Sequence, residues 1–308
     1  MELRQLRYAV AVADQLHFTR AAETLHVAQP ALSQQIRRLE AELGLDLFAR
    51  TSRSVALTEA GEAVVGRARR ILAEADAIGE DLDALRGVLR GRVVIGSMQS
   101  LGPFDLPGLL ADFHAEHPGV DVVLREDTTQ RMLARLAADE LDLAVATIDE
   151  SPPDGLETRA LYEEDLVLAV AGDHPLASRR RIRPASLPPG PFIFFREGSG
   201  LRAATEAILD AAGVEPQVRF ETNELSRVRA LTSRGLGVAI MPRSDTEGPG
   251  PPVTAIAIGP PALRRAVGLV WRGDRRRAPA AEAFLAFALE WTGRYERTPA
   301  AAKASAGS

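Results

Sequence analysis

Residues 18–58 read FTRAAETLHVAQPALSQQIRRLEAELGLDLFARTSRSVALT, and no other stretch limits the possible folds so sharply. Pro30 suits a first helical turn, where its missing N–H would have no partner, and Gly44 suits a left-handed exit, so a helix is predicted from Pro30 to Leu43. Leu32, Ile36, Leu39 and Leu43 recur at helical spacing and form its core stripe, while Gln34, Arg37 and Arg38 point the other way, with Ser33 at the flank. An outward face of this kind also suits an ordinary solvated helix; the surrounding residues decide between the two. Leu3, Leu6, Val10 and Ala13 predict an amphipathic first helix, and Thr19 is placed to cap a second helix holding Ala21, Ala22 and Leu25. Small residues there let the helices cross closely. The layout is a helix-turn-helix, which sets its second helix in the DNA major groove. Gln29, Pro30 and Ser33 lie near that helix's start, where such proteins present side chains to base edges, and glutamine pairs bidentately with adenine. Arg37 and Arg38 suit guanine or phosphate.

After Gly44, the segments 47–50 and 55–58 flank the polar tip Thr51-Ser52-Arg53-Ser54 and predict a hairpin wing. Arg50 and Arg53 belong to that wing, and a guanidinium at its tip suits a narrow minor groove. From Val64 the apolar positions Ala68, Ile71, Ala75, Ile78, Leu82, Leu85 and Leu89 alternate by four and three without a break. That spacing predicts a dimerising helix over residues 59–90, with Thr58 as its cap and a length of roughly 45–50 Å. Gly66 and Gly79 weaken it by about 1 kcal/mol each relative to alanine.

Charge divides the chain. Seven basic residues face six acidic ones before residue 59, against 30 and 36 beyond it, so the acidic excess belongs to the second part. A DNA-binding reading therefore rests on where the arginines stand, not on net charge. No apolar run reaches the length of a membrane span, and the N-terminus begins with an amphipathic helix in place of a signal peptide, so a cytoplasmic protein with no membrane partner is expected. The absence of cysteine fits a reducing compartment and excludes disulfides, thiolate zinc sites and thiol-based sensing.

Beyond Gly91 strands and helices alternate, predicting parallel α/β sheets in two lobes joined by crossover strands. Predicted strands are 92–96, 121–125, 141–146, 166–171, 191–195, 218–221, 238–241 and 266–271. Predicted helices are 103–117, 129–138, 201–212, 224–234 and 279–291. Lobe I takes 91–163 plus 266–293 and lobe II takes 164–265, with a small, polar, disordered tail at 294–308. In such folds ligands sit between the lobes at the carboxyl ends of strands.

Several motifs carry a resemblance: the paired alanines of FTRAAETL, then AQPALSQQIRRLEAELG, LFAR and LT followed by AG, and later LPGLLADFHAEHPGV, LDLAV and RGLGVAIMP. Together they resemble the LysR-type transcriptional regulators over almost the whole chain. The resemblance implies an α/β protein overall. A mainly α winged helix-turn-helix at 1–58 and a long linker helix would lead into a two-lobed α/β effector-binding domain at 91–293 similar to periplasmic binding proteins. It implies double-stranded promoter DNA, a small-molecule effector and RNA polymerase as partners. Linker helices would pack antiparallel into a homodimer, and dimers would pair into a homotetramer. His17 departs from the family, in which many members have a capping serine, and Thr19 is expected to take that role. Carrying the family's pocket onto matching positions points to Ser97, Gln99, Ser100, Thr128, Thr129 and Thr147 from the first lobe, with Ser199, Arg202 and Thr222 from the second. Hydroxyls and helix N-termini suit a small organic acid.

Catalytic motifs are thin. His114 and His117 make an HxxH spacing, but no cysteine or motif carboxylate completes a metal set. Gly198-Ser199-Gly200 lacks a phosphate loop's lysine, and the chain has neither a Gly-x-Ser-x-Gly elbow nor a Ser-x-x-Lys pair. No cofactor, metal or enzymatic activity is expected. A two-lobed solute-binding protein is the rival reading; it leaves the head, the heptads and the missing signal peptide unexplained.

Overall fold

The computed structural model describes residues 1–50, 55–85, 89–148, 152–248, 250–260 and 262–295. They divide into two compact units, one made mainly of residues 1–91 and the other of residues 92–137 and 141–277 with the C-terminal helix. Among the described residues no helix is long and apolar enough to cross a membrane.

The first unit opens with α1 (Leu3–Gln15), which buries Gln5, Leu6, Ala9 and Val12. This stripe is rotated from the expected Leu3, Leu6, Val10 and Ala13: Leu3 is exposed and Val10 and Ala13 are only half-buried. The rotation arises because α1 packs against α2 and α3 and also against α4. In α2 (Phe18–Thr24) the cap is His17, whose Nδ1 accepts from the Arg20 amide at 3.4 Å. Thr19 does not cap, contrary to expectation, because it already lies inside the helix, whereas a cap needs the extended backbone that His17 adopts.

Helix α3 (Gln29–Leu43) carries Pro30 in its first turn and ends at Gly44, whose φ of 73° is the left-handed exit. Leu32, Ile36 and Leu39 are fully buried. Leu43 is not part of that stripe: it sits in the last turn, beyond the edge of the core, and is exposed. Glu40 is buried on this helix and accepts from the amides of Leu47 and Phe48 at 3.1 and 3.3 Å, satisfying two donors where the chain enters the wing. The wing pairs β1 (Phe48–Arg50) with β2 (Val55–Leu57) antiparallel, Phe48 opposite Leu57. Phe18 meets Phe48 edge-on at 5.9 Å over a core of Ala9, Val12, Ala21, Ala22, Leu32, Ile36 and Leu39.

Helix α4 (Glu59–Leu85) starts as expected at Thr58, whose Oγ1 accepts from the Gly61 amide at 2.9 Å and donates to the Asp46 carbonyl at 2.7 Å. A Cβ on Gly61 would lie 2.0 Å from the Leu47 carbonyl oxygen, so glycine is what lets α4 press against the wing's entry. The helix was expected to continue to residue 90; residues 86–88 lie outside the described residues, and Leu89 follows in non-helical backbone.

The second unit begins with β3 (Gly91–Ser97), α5 (Leu106–Glu116), β4 (Val120–Glu126), α6 (Thr129–Ala137) and β5 (Leu143–Ile148). Asp105 caps α5 through the Gly108 amide, which delays the helix from its expected start at residue 103. The chain then crosses on β6 (Leu156–Val170) into β7 (Arg181–Ile182), β8 (Pro191–Phe194), α7 (Gly200–Ala212), β9 (Gln217–Glu221), α8 (Leu225–Ser233), β10 (Ala239–Pro242), α9 (Arg243–Glu247) and β11 (Thr254–Ile258). It returns on β12 (Arg264–Arg272) to α10 (Pro279–Tyr295), where Phe284 and Phe287 pack on Phe113 of α5. Tyr295 is thus helical, although the tail was expected to begin at 294; residues 296–308 lie outside the described residues.

One sheet runs β4-β3-β5-β12-β6-β11-β7, with β10 also on β6. The expectation of parallel sheets holds only for pairs such as β3 with β5 and β8 with β9. β12 is antiparallel to both β5 and β6, and β10 and β11 are antiparallel to β6. The reason is the two crossings. β6 pairs with β12 along residues 156–165 and with β10 and β11 along 166–170, so the outgoing strand runs through both lobes with the returning strand antiparallel to its first half.

Candidate functional site

Helix α3 presents Gln29, Pro30, Gln34, Arg37 and Arg38 to solvent. Ser33 differs from its expected place at the flank: it is 9% exposed, and its Oγ accepts from the Gln29 side chain at 2.9 Å. It therefore orients Gln29 instead of standing beside Gln34. Arg50 holds its place in the wing ladder opposite Val55, while Arg53 lies outside the described residues. The free face is an amide-and-guanidinium surface on one rigid helix, which suits the edges of bases and the phosphates beside them.

The heptad positions split along α4. Ala68 is buried and Val64 half-buried next to the head, but Ile71, Ile78 and Leu82 are 40, 65 and 51% exposed in the single chain. Ala75 lies between them, half-buried. The side chain of Leu85 lies outside the described residues. Three large apolar side chains at heptad spacing are thus left exposed by the single chain, the pattern of a helix-pairing seam.

Between the lobes lies a cavity of about 330 Å³. Six of the nine expected residues line it: Gln99, Ser100, Thr128, Thr129, Thr147 and Ser199. They come from the carboxyl ends of β3, β4 and β5 with the residues just after them, and from the start of α7. The lobes touch here, since the Gln130 amide donates to the Gly198 carbonyl at 3.2 Å. Gly198 has φ 78°, and a Cβ on Gly200 would lie 2.6 Å from Thr147 Oγ1, so both glycines permit the approach. Two helix N-termini, those of α6 at Thr129 and α7 at Gly200, open onto this cavity. The hydroxyl of Ser199 caps none of its own helix's amides. Thr128 Oγ1 is buried and has no hydrogen-bond partner among the described residues. Asp127, also at the wall, is tied to the Thr128 amide at 2.9 Å and to Arg135 at 3.4 Å.

Three expected residues are not at the cavity. Ser97 is buried and donates to the Met98 carbonyl at 2.9 Å. Thr222 is buried with its Oγ1 accepting from the Glu224 amide at 3.2 Å; its neighbour Asn223 lines the wall instead, a one-residue offset at a strand end. Arg202 turns away because its guanidinium lies 4.4 Å over the Phe194 ring and donates to Glu206 and the Phe195 carbonyl.

Sequence reasoning missed Arg131, Arg196 and Arg265, all of which line the cavity. Arg265, the second residue of β12, has its side chain 2% exposed. Its Nε donates to Glu164 of β6 at 2.8 Å, and its Nη2 donates to the carbonyl and hydroxyl of Ser100 at 3.1 and 2.8 Å. The Ser100 hydroxyl donates onward to Asp245 of α9 at 2.7 Å, and Ser244 donates to Glu164 at 2.6 Å. One buried ionic network thus spans both crossing strands and joins the cavity wall to α9. Burial, opposed by the hydrogen bond from Ser100, holds the Asp245 carboxyl above its ordinary range. The alternation of YEED in β6 opposite RRA in β12 was the one available signal.

His117 meets Phe113 at 4.8 Å with the rings tilted, and among the described residues no group of three or more histidines or acids is placed to hold a metal.

Two family profiles match the chain. The bacterial regulatory helix-turn-helix protein, lysR family, matches residues 3–62, and the LysR substrate binding domain matches residues 86–293. The transcriptional dual regulator OxyR of Escherichia coli is 33% identical over 278 residues, 88% of this chain and 90% of its own. The RuBisCO operon transcriptional regulator of Allochromatium vinosum is 34% identical over 293 residues, 94% of this chain and 96% of its own. Among solved structures, full-length OxyR from Pseudomonas aeruginosa superposes with a TM-score of 0.70 at 29% identity, covering 94% of this chain and 93% of that one. CbnR, solved as a complex with its target DNA, gives 0.65 at 28% identity over 93% of this chain and 98% of its own. With the two matched regions spanning head and lobes alike, the chain belongs to the LysR family of DNA-binding transcriptional regulators.

Proposed function

We propose that this regulator binds a small organic acid in the interlobe cavity and that binding changes how two α4-paired heads sit on promoter DNA. The observation that carries the effector reading is the convergence of two helix N-termini on a cavity whose wall includes a buried, unpartnered Thr128 hydroxyl. Helix N-termini favour negative charge, and a carboxylate supplies acceptors for the hydroxyl and backbone N–H donors gathered there. The guanidinium of Arg196 adds a cation at the same wall. Gln99, Ser100, Thr128, Thr129, Thr147 and Ser199, with Asn223 and Arg196, are the residues assigned to the effector. Gln34, Arg37 and Arg38 are assigned to bases and phosphates, with Gln29 and Pro30 at the helix start and Arg50 and Arg53 in the wing. CbnR's complex with DNA supports placing α3 at the duplex. We assign residues 1–58 to the head, 59–90 to the linker and 91–293 to the effector domain. The linker seam makes a homodimer, two dimers make a tetramer, and RNA polymerase reads the outcome.

For allostery the effector must favour one arrangement by differential affinity; binding alone is insufficient. The test is calorimetry on the full chain with a panel of mono- and dicarboxylic acids, alongside genome-wide mapping of bound DNA. A carboxylate that binds wild type and loses about tenfold or more in Thr128→Val supports the reading, because a lost charge-assisted hydrogen bond has roughly that weight. Should no acid bind, or should Thr128→Val bind as tightly as wild type, the cavity does not hold an organic acid through this hydroxyl.

A further inference from the structure

A second concavity, about 570 Å³, opens on the far strand of lobe II and is lined by Arg179, Arg181, Arg183 and Ser186, with Leu176 and Pro260 as apolar wall. The sequence around it is unusual for an acidic domain: residues 174–196 contain five arginines and no aspartate or glutamate. Arg179, Arg180, Arg181 and Arg183 are all exposed. Among the described residues none of these four guanidiniums has a carboxylate partner.

The backbone holds them firmly. β7 is paired parallel with β11, the Arg180 carbonyl accepting from the Ala257 amide at 3.1 Å and the Ile182 carbonyl from Gly259 at 3.0 Å. Ile182 is buried, so strand alternation puts Arg181 and Arg183 together on the opposite, outward face. Charged side chains on an edge strand commonly serve to prevent pairing with another sheet. That role needs one or two charges. Four uncompensated cations within five residues repel one another, and three of them bound the same concavity, which edge protection does not require.

We propose that this concavity is a second anion site, separate from the interlobe cavity, and that it takes a small organic molecule bearing phosphate. Guanidinium forks match phosphate oxygens bidentately, and three of them around one hollow suit a group carrying two negative charges better than a monocarboxylate. Ser186 offers a further hydroxyl donor. The walls formed by Leu176 and Pro260 favour a ligand with an organic body, whereas a polymer backbone would be met by an open basic stripe.

Titration calorimetry on the full chain at physiological salt, with inorganic pyrophosphate and glycerol 3-phosphate as probes, tests this. Both probes should bind wild type and bind Arg181→Gln/Arg183→Gln about tenfold or more weakly, while Thr128→Val binds them as wild type does. The arginines are exposed, so the double variant should keep the wild-type circular dichroism spectrum; Arg179→Gln gives a second, milder variant with an intermediate loss. Absence of pyrophosphate binding, or equal binding by the double variant, overturns the proposal. A double variant that loses operator affinity while wild type binds neither probe gives the arginines to nucleic acid and overturns it as well. Binding of pyrophosphate without glycerol 3-phosphate removes the organic body from the proposal and overturns that assignment.

Discussion

Replacing Arg265 by methionine should be among the most damaging single changes in the effector domain. The guanidinium is 2% exposed, its partner Glu164 is 9% exposed by side chain, and its Nη2 also holds the carbonyl and hydroxyl of Ser100. Methionine fills much of the same volume, so the loss is one of charge and hydrogen bonding. Removing one member of a buried ion pair leaves the other unpaired and costs about 3–5 kcal/mol. A domain of this size loses roughly 2–4 °C in midpoint per kcal/mol, so the expected fall is about 6–20 °C. The double variant Arg265→Met/Glu164→Gln should recover most of that, because glutamine still accepts from Ser244 and carries no buried charge. The assay is thermal unfolding of all three proteins followed by circular dichroism. A single variant within 1 °C of wild type, or a double variant worse than the single, would refute the claim that the pair is a coupled buried charge.

Ile71→Asp places a carboxylate in the exposed apolar seam of α4, and sedimentation at micromolar concentration should show monomers where wild type is oligomeric; an unchanged mass rules out the seam. Gln34→Ala should cost about 1–3 kcal/mol at a specific operator, while Arg38→Ala should lower the salt slope of binding by about 1 if it meets a phosphate. Footprinting and salt titration check both, and identical curves for wild type and both variants exclude the assigned docking. Asp245 tests the sign of a proton effect: its folded pKa lies above the ordinary 3.8, so above that pH the folded state keeps a proton the unfolded state has lost, and stability falls as pH rises through the folded pKa. Asp245→Asn should flatten that fall, with a midpoint at pH 7 equal to or above wild type; a variant less stable at pH 7 and unaltered in slope contradicts it.

The head was legible because its signals are local. Pro30, Gly44 and the Leu32–Ile36–Leu39 stripe act within one helix, and they mark its ends and buried face without knowledge of the rest. Errors there came from tertiary packing: α1 turns its stripe toward Ala9 and Val12 because α4 lies against it too. The first half of β6, LETRALYEED, was not read as a strand because its residues are largely polar and half-buried. Its conformation is fixed by β12, more than 90 residues away, through a ladder from Leu156–Arg272 to Asp165–Arg264. Short β7 and β11 were missed for the same reason, each depending on a partner distant in sequence.

The cavity divides along the same line. Thr128, Thr129 and Ser199 were reached through the family resemblance carried onto matching positions, and they lie where strand–helix junctions meet the carboxyl edge of a sheet. Two arginines depart from that pattern. Arg202 stands at a helix start, where a ligand contact is plausible, yet the Phe194 ring 4.4 Å below captures it. Arg265 stands in a strand of mixed polarity, where an exposed arginine is the ordinary expectation, yet Glu164 and Ser100 bury it. What separates the two is the partner each meets, and both partners are set by topology. Because Ser100 lies at once on the cavity wall and in the Arg265–Glu164–Asp245 network, a ligand that draws its hydroxyl away must disturb the bond to Asp245 of α9. On the proposed function, the choice of the Ser100 hydroxyl between a ligand oxygen and the Asp245 carboxylate is what would couple effector binding to α9.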